Sequence, residues 1–154
     1  MALKPDRLRN PYADDMTFFM DEAAEPGGFA VISTGGSGAA TDQSNAVVTY
    51  TTAPSGKVIA GVVLQKMVDK DLSQYSLNRY NCEVQKGGKI LLNRQGVFNT
   101  NMIYPGVTPT VGATAYLGPS GLLLVTTTSA QHPTACKFLS TKDADGYAKV
   151  SVNL

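Results

Sequence analysis

A chain of 154 residues has the length of one ordinary domain, and 43% hydrophobic against 16% charged residues leave its surface to Thr, Ser, Asn and Gln. That balance excludes a disordered acidic or basic tail protein. Thirteen basic and twelve acidic residues leave a net charge of +1, too little field to hold a polyphosphate, so nucleic acid is not an expected partner.

The chain opens with Lys4 to Tyr12, which holds two prolines and alternating charges without an apolar period and reads as an extended arm. It has basic residues but no apolar stretch behind them, unlike a secretory signal, so synthesis in a cytoplasm is expected. Met16, Phe19, Met20 and Ala23 follow at helical spacing, with Asp14 or Asp15 placed to cap and Glu25-Pro26-Gly27-Gly28 to stop, which predicts one short helix. Residues 1–27 are therefore expected to form an N-terminal arm with that possible helix, and 28–154 a single β domain.

From Phe29 onward, short apolar runs alternate with Gly, Pro, Ser and Asn turns, the pattern of an all-β protein, a small β-barrel or β-sandwich with at most one short helix. Strands are predicted at Phe29–Ser33 and Asn45–Thr52, on either side of a small-residue loop from Thr34 to Ser44. The run Lys57–Val68 is apolar on both alternating faces and should be covered on both. Its central stretch, Val58–Leu64, falls far short of the ~20 residues that cross a bilayer, so no membrane partner is expected.

Further strands are predicted at Asn81–Gln85 and Lys89–Arg94 around the Lys86-Gly87-Gly88 turn, with a bend or bulge over Arg94–Val97. Ala113–Leu117, Gly121–Thr128 and Ala135–Leu139 follow. The last, Gly146–Leu154, is the cleanest half-buried strand: Ala148, Val150, Val152 and Leu154 alternate with polar residues and Tyr147.

Charge is unevenly placed. Between Asn10 and Gly56 there is no Lys or Arg but six acidic residues, Asp14, Asp15, Asp21, Glu22, Glu25 and Asp42; from Lys57 on there are ten basic and five acidic. The acidic segment either packs on the basic body of its own chain or reaches that of a neighbouring copy.

Searches for chemistry fail in informative ways. The single histidine, His132, precedes Pro133, which argues against sharing a helical face with Cys136. Cys82, Cys136 and His132 lack the paired spacings of a zinc site, and both cysteines are expected as reduced, buried thiols. Asp143-Ala144-Asp145-Gly146 begins like a calcium loop, but Lys149 and Val150 stand where ligands belong, so a hairpin turn is expected. Ser55-Gly56-Lys57 lacks the Ser or Thr that would hold magnesium. Gly118-Pro119-Ser120-Gly121 misses the nucleophile elbow, because Leu122 takes the last glycine position. No catalytic group, metal or cofactor is predicted, and function is expected at surfaces. Met16, Phe18, Phe19 and Met20 either dock on their own barrel or anchor a partner.

From Gly56 to Leu154, Lys57–Leu64, Val84–Ile90 with Gly96-Val97, Val111-Gly112-Ala113 with Ala115-Tyr116-Leu117, and the closing Asp143–Leu154 together resemble tailed-bacteriophage capsid cement (head decoration) proteins. The resemblance implies a β-barrel or β-tulip domain that binds the major capsid protein between capsomers on the capsid exterior of the virion. It implies no enzyme activity and self-association, commonly as a homotrimer, with a dimer possible and the second apolar face of Lys57–Val68 as one possible subunit contact. The capsid or subunit contacts would then be Arg7, Arg9, Tyr12, Phe18, Phe19 and Met20 of the arm. The alternatives are another β-rich virion part, such as a tail or fibre component, or a carbohydrate-binding module. For the last, the absence of Trp leaves Tyr75, Tyr80, Tyr104 and Tyr116 as platforms.

Overall fold

The structure, a computed structural model, describes residues 3–4, 15–35, 46–68, 83–126 and 132–154. Eleven strands form in chain order: β1 (Leu3–Lys4), β2 (Asp15–Met20), β3 (Phe29–Gly35), β4 (Ala46–Thr49), β5 (Ile59–Val68), β6 (Lys89–Asn93), β7 (Gln95–Thr100), β8 (Thr114–Leu117), β9 (Leu123–Leu124), β10 (His132–Phe138) and β11 (Ala148–Asn153). The all-β expectation holds. Five strands, in the order β2-β4-β3-β5-β6, close a barrel, and six others form an open sheet ordered β1-β7-β11-β10-β8-β9.

The predicted helix over 16–23 is instead strand β2, paired antiparallel with β6 and parallel with β4. Phe18 and Met20, two residues apart, both enter the barrel interior, so the operative period is two and the i, i+3, i+4 coincidence decides nothing. Chain that reads locally as helix gains more by closing the barrel, whose strands would otherwise keep open edges. The barrel therefore begins by Asp15, upstream of the boundary expected at residue 28. The only helical element among the described residues is a 3-10 turn at Pro119–Gly121.

Two cores result. Phe18, Met20, Ala30, Val48, Ala60, Val63, Val84, Ile90 and Leu92 fill the barrel. Phe29, Val31, Ile59 and Val62, on the outside of the same staves, meet Ala115, Leu117, Leu123, Cys136, Phe138, Val150 and Val152 from the open sheet. From Ile59 to Val63 the double-faced run in β5 is thus covered on both sides, one of them by this chain's own sheet.

Its two faces are not the alternating sets expected. A bulge pairs Ala30 with Gly61 but Val31 with Ile59, so Ile59 and Val62 share one core while Ala60 and Val63 share the other. Gly61 allows this because its backbone runs close to β6: a Cβ there would lie 2.8 Å from the Asn93 carbonyl oxygen. Gly61→Ala should therefore cost about 1–3 kcal/mol, read as a lower denaturation midpoint at unchanged slope.

Three ties cross between the layers. Thr100 Oγ1 donates to the Gly27 carbonyl at 2.8 Å and accepts the Met102 N–H at 3.0 Å. Buried Asn93 accepts the Gln95 N–H on Oδ1 at 2.9 Å, fixing the bend where the chain leaves the barrel for the sheet. The Ser120 N–H donates to the Thr51 carbonyl at 2.8 Å, holding the 3-10 turn on the barrel. Ser120 itself sits at φ 57, ψ 32, where glycine is at no disadvantage. Ser120→Gly is expected to be neutral or stabilising by up to about 1 kcal/mol, and a loss of stability would show that the side chain works in the fold.

Candidate functional site

Among the described residues, Cys136, Tyr50 and Asp143 are committed to the fold. Cys136 is fully buried in the interlayer core beside Thr134, whose hydroxyl donates to the Ala115 carbonyl and accepts the Cys136 N–H at 3.2 Å. Burial pushes its thiol above the ordinary 9.0, the reverse of an activated nucleophile. His132 starts β10 in register with Leu117, and its side chain, like all of Cys82, lies outside the described residues. Among the described residues no group of three His, Cys, Asp or Glu side chains could hold a metal ion.

Asp143 makes the expected hairpin turn: Oδ1 accepts the N–H groups of Asp145 at 3.1 Å and Tyr147 at 2.8 Å, so this oxygen serves the backbone. Ser55-Gly56-Lys57 is likewise a turn, closed by the Lys57 N–H on the Pro54 carbonyl.

Tyr50 is the largest polar side chain buried between layers, its hydroxyl donating to the Glu25 carbonyl at 2.7 Å. Burial, with the Glu25 and Glu22 charges adding, pushes its phenol well above the ordinary 10.0. Both raised groups are neutral in the fold and ionise more readily once unfolded. Their stabilisation is present below the ordinary values and is lost as pH rises past them, because the unfolded state then holds fewer protons. Stability should be insensitive to these two groups near neutrality and fall above pH 9, by up to about 1.4 kcal/mol per unit for each ionising group. Tyr50→Phe should flatten the part of the fall above pH 10; an unchanged profile would exclude Tyr50 as its source.

The arm residues expected as contacts separate. Arg7, Arg9 and Tyr12 lie outside the described residues. Phe18 and Met20 are 5% and 0% exposed inside the barrel, where they dock on their own chain, and Phe19 is half-buried. The acidic segment also serves its own fold. Glu22 Oε1 accepts the Thr49 hydroxyl at 2.6 Å and the Tyr50 N–H at 2.5 Å, and Asp21 pairs loosely with Lys86 at 3.9 Å. The last pair is exposed, so Lys86→Ala should leave stability within about 0.5 kcal/mol.

The outer face of the open sheet carries exposed polar side chains. Along β11, Ala148, Val150 and Val152 are buried while Lys149, Ser151 and Asn153 point away. On β10 Ala135 and Lys137 are exposed around buried Thr134, Cys136 and Phe138. Lys137 lies opposite Ser151, and Lys149 opposite Asn99. The described side chains of the sheet's strands include Lys137 and Lys149 and no carboxylate, so this face is polar and positive. At its end, residues of β7, β11 and the intervening turn, among them Asn99, Thr141, Asp143, Tyr147 and Ala148, rim a recess of about 270 Å³. Val111 and Leu139 stand exposed on neighbouring segments, joined by the Gly112 N–H on the Phe138 carbonyl at 2.8 Å.

Comparison with solved structures returns a chain of "The capsid of Myoviridae Phage XM1", superposing with a TM-score of 0.65 at 12% sequence identity over 99% of this chain and 92% of that one. It shares the fold of a chain in a phage capsid. No protein-family model and no curated protein matches. At 12% identity the likeness is one of fold, carried by the barrel and sheet together, since nearly the whole of both chains is aligned. No helix among the described residues is long and apolar enough to cross a membrane.

The sequence points to the arm and not to this sheet face, because the start of β7 reads as a bend over Arg94–Val97. The available signal was the carboxylate-free stretch from residue 84 to 142, whose charged residues are Lys86, Lys89, Arg94, Lys137 and Lys142.

Proposed function

We propose that this protein is a structural, non-enzymatic component of a phage virion: a cement or decoration protein that binds the major capsid protein between capsomers on the capsid exterior. The observation that carries the reading is the whole-chain fold likeness to a chain of a phage capsid. Cys136, Tyr50 and Asp143 support it, because they serve packing and a turn, while the sheet presents polar side chains outside. A protein that binds only the assembled shell stabilises it by mass action and needs no reacting group. Self-association, as a homotrimer or dimer, would multiply weak contacts through avidity. Contacts are assigned to Arg7, Arg9, Tyr12 and Phe19 and to the lysine-bearing sheet face, which fits an acidic capsid surface.

The test is co-sedimentation of purified protein with shells of its own phage that lack it, followed by shell melting. Binding with a raised shell Tm is expected. Lys137→Glu with Lys149→Glu should weaken binding at least tenfold while leaving the free protein's own melting within a few degrees. No binding to such shells, or turnover of a substrate, would overturn the assignment.

A further inference from the structure

The recess at the end of the outer sheet face has walls fixed by the backbone. The even-numbered residues of β11 are buried, so Lys149 and, two before it, Tyr147 stand on the outer face, and Lys149 lies opposite Asn99 of β7. The turn between β10 and β11 is tied down beside them. Leu139 N–H donates to the Lys149 carbonyl at 2.7 Å, Lys149 N–H to Ser140 Oγ at 2.8 Å and Asp143 N–H to the Tyr147 carbonyl at 2.8 Å. The two backbone N–H groups that donate to Asp143 Oδ1 hold its carboxylate in one orientation. Asn99, Lys142, Asp143, Tyr147 and Lys149 thus line about 270 Å³ on a frame that a ligand would not have to order.

The residue types in this lining select among ligands. Lys142 and Lys149 bring positive charge and Asp143 negative, so an anion would meet the carboxylate and a metal ion the ammonium groups. A neutral polyol satisfies both. Its hydroxyls donate and accept, which matches the acceptor Asp143, the donors Lys142 and Lys149, and Asn99, whose amide does either. Tyr147 is the one aromatic residue of the lining, and an aromatic ring set among polar groups suits the C–H face of a sugar ring. The volume lies just below the roughly 300 Å³ at which pockets for drug-sized ligands begin, so it takes one ring and leaves the rest of a chain in solvent.

We propose that this recess binds a single pyranose unit of a neutral saccharide, with Tyr147 as the platform and Asn99 and Asp143 as the groups that recognise its hydroxyls. The inference rests on the recess and does not depend on the capsid reading. Tyr104 and Tyr116, the described members of the platform set expected from the sequence, do not line it. The platform is instead the tyrosine whose neighbours in the fold bring both donors and acceptors.

The test is an NMR titration of the full chain with the methyl glycosides of glucose, galactose, mannose and N-acetylglucosamine in turn, with sodium phosphate as the ionic control. At least one glycoside should give saturable amide shifts confined to Asn99 and residues 140–149, with a Kd of about 1–10 mM. Tyr147→Ala should weaken binding at least about fivefold, whereas Tyr147→Phe, which keeps the ring, should hold it within about twofold. Asn99→Ala, in the strand and not the turn, should also weaken it at least about fivefold and keeps the test valid if Tyr147→Ala unsettles the turn. Tyr104→Ala should change nothing. The proposal is overturned by no saturable shift with any of the glycosides, by equal shifts of the same amides with phosphate, or by undiminished binding in Tyr147→Ala and Asn99→Ala.

Discussion

Phe138→Ala is expected to be the most damaging single truncation, costing about 3–5 kcal/mol and, at about 2–4 °C per kcal/mol for a chain of this size, roughly 6–20 °C of Tm. Phe138 is fully buried and belongs to the cluster where the outer barrel staves Phe29, Val31 and Val62 meet Leu117, Val150 and Val152 of the open sheet. The Thr100, Asn93 and Ser120 hydrogen bonds between the layers each contribute only about 1 kcal/mol. Emptying the joint should thus weaken the docking of sheet on barrel more than either alone. Met20→Ala, inside the barrel, should cost about 2–5 kcal/mol without that selectivity. The comparison is made by hydrogen exchange on each variant. Phe138→Ala should raise exchange first in β8, β10 and β11, and Met20→Ala first in β2 and β6. Tyr104→Ala, at an exposed aromatic, is the control and should stay within about 0.5 kcal/mol. A loss below 1 kcal/mol for Phe138→Ala would mean that the layers are held together by something other than this core.

Much of the architecture was readable because most strands keep a period of two over a buried face. The last strand is the clearest case: its alternation in sequence is the alternation in the structure, with Ala148, Val150 and Val152 inward. The Lys86-Gly87-Gly88 turn and the Asp143–Gly146 turn were legible from local chemistry, since positive φ at Gly87 and Gly146 and an Asp side chain over the next amides need no distant partner.

The failures share a cause: in each, the deciding contact is far away in sequence. The β2 segment carries a helical spacing and becomes a strand because β6, more than seventy positions on, offers it an edge. The β5 faces are shuffled by a bulge that only the approach of Asn93 to Gly61 explains. Strand β7 follows a one-residue bend at Arg94 and contains Gly96, and its pairing with β11 is invisible to any local window. Among the described residues of the run from Gly121 to Thr128, Leu123–Leu124 form strand, where β8 offers a partner for two positions after the 3-10 turn has taken Gly121. For the site, the positive face exists only once β7, β10 and β11 lie side by side, which no local window of sequence displays.

Replacing Gly121 with alanine should destabilise strongly, and the size of the effect should depend on Tyr50. A Cβ on Gly121 would lie 2.7 Å from Tyr50 Cδ1 and 3.0 Å from Cγ and Cε1, and one on Gly28 would lie 2.8 Å from Cζ and the hydroxyl oxygen. The ring is therefore clamped between two glycines, one on the barrel and one on the 3-10 turn that leads into the open sheet. The clamp cannot easily give, because the hydroxyl is held by the Glu25 carbonyl and the neighbouring Tyr50 N–H by Glu22. Gly121→Ala then carries two penalties, about 1–3 kcal/mol for overpacking against the ring and about 1 kcal/mol for a side chain at φ +72. Tyr50→Ala alone should cost about 3–5 kcal/mol through the cavity it leaves. Combined, the two changes should cost less than their sum by at least 1 kcal/mol, because the alanine methyl then enters space the ring has vacated and only the backbone penalty survives. Strict additivity in urea melts of the four proteins would show that Gly121 is required for its backbone conformation alone, and that the ring is not the wedge setting the spacing between turn and barrel.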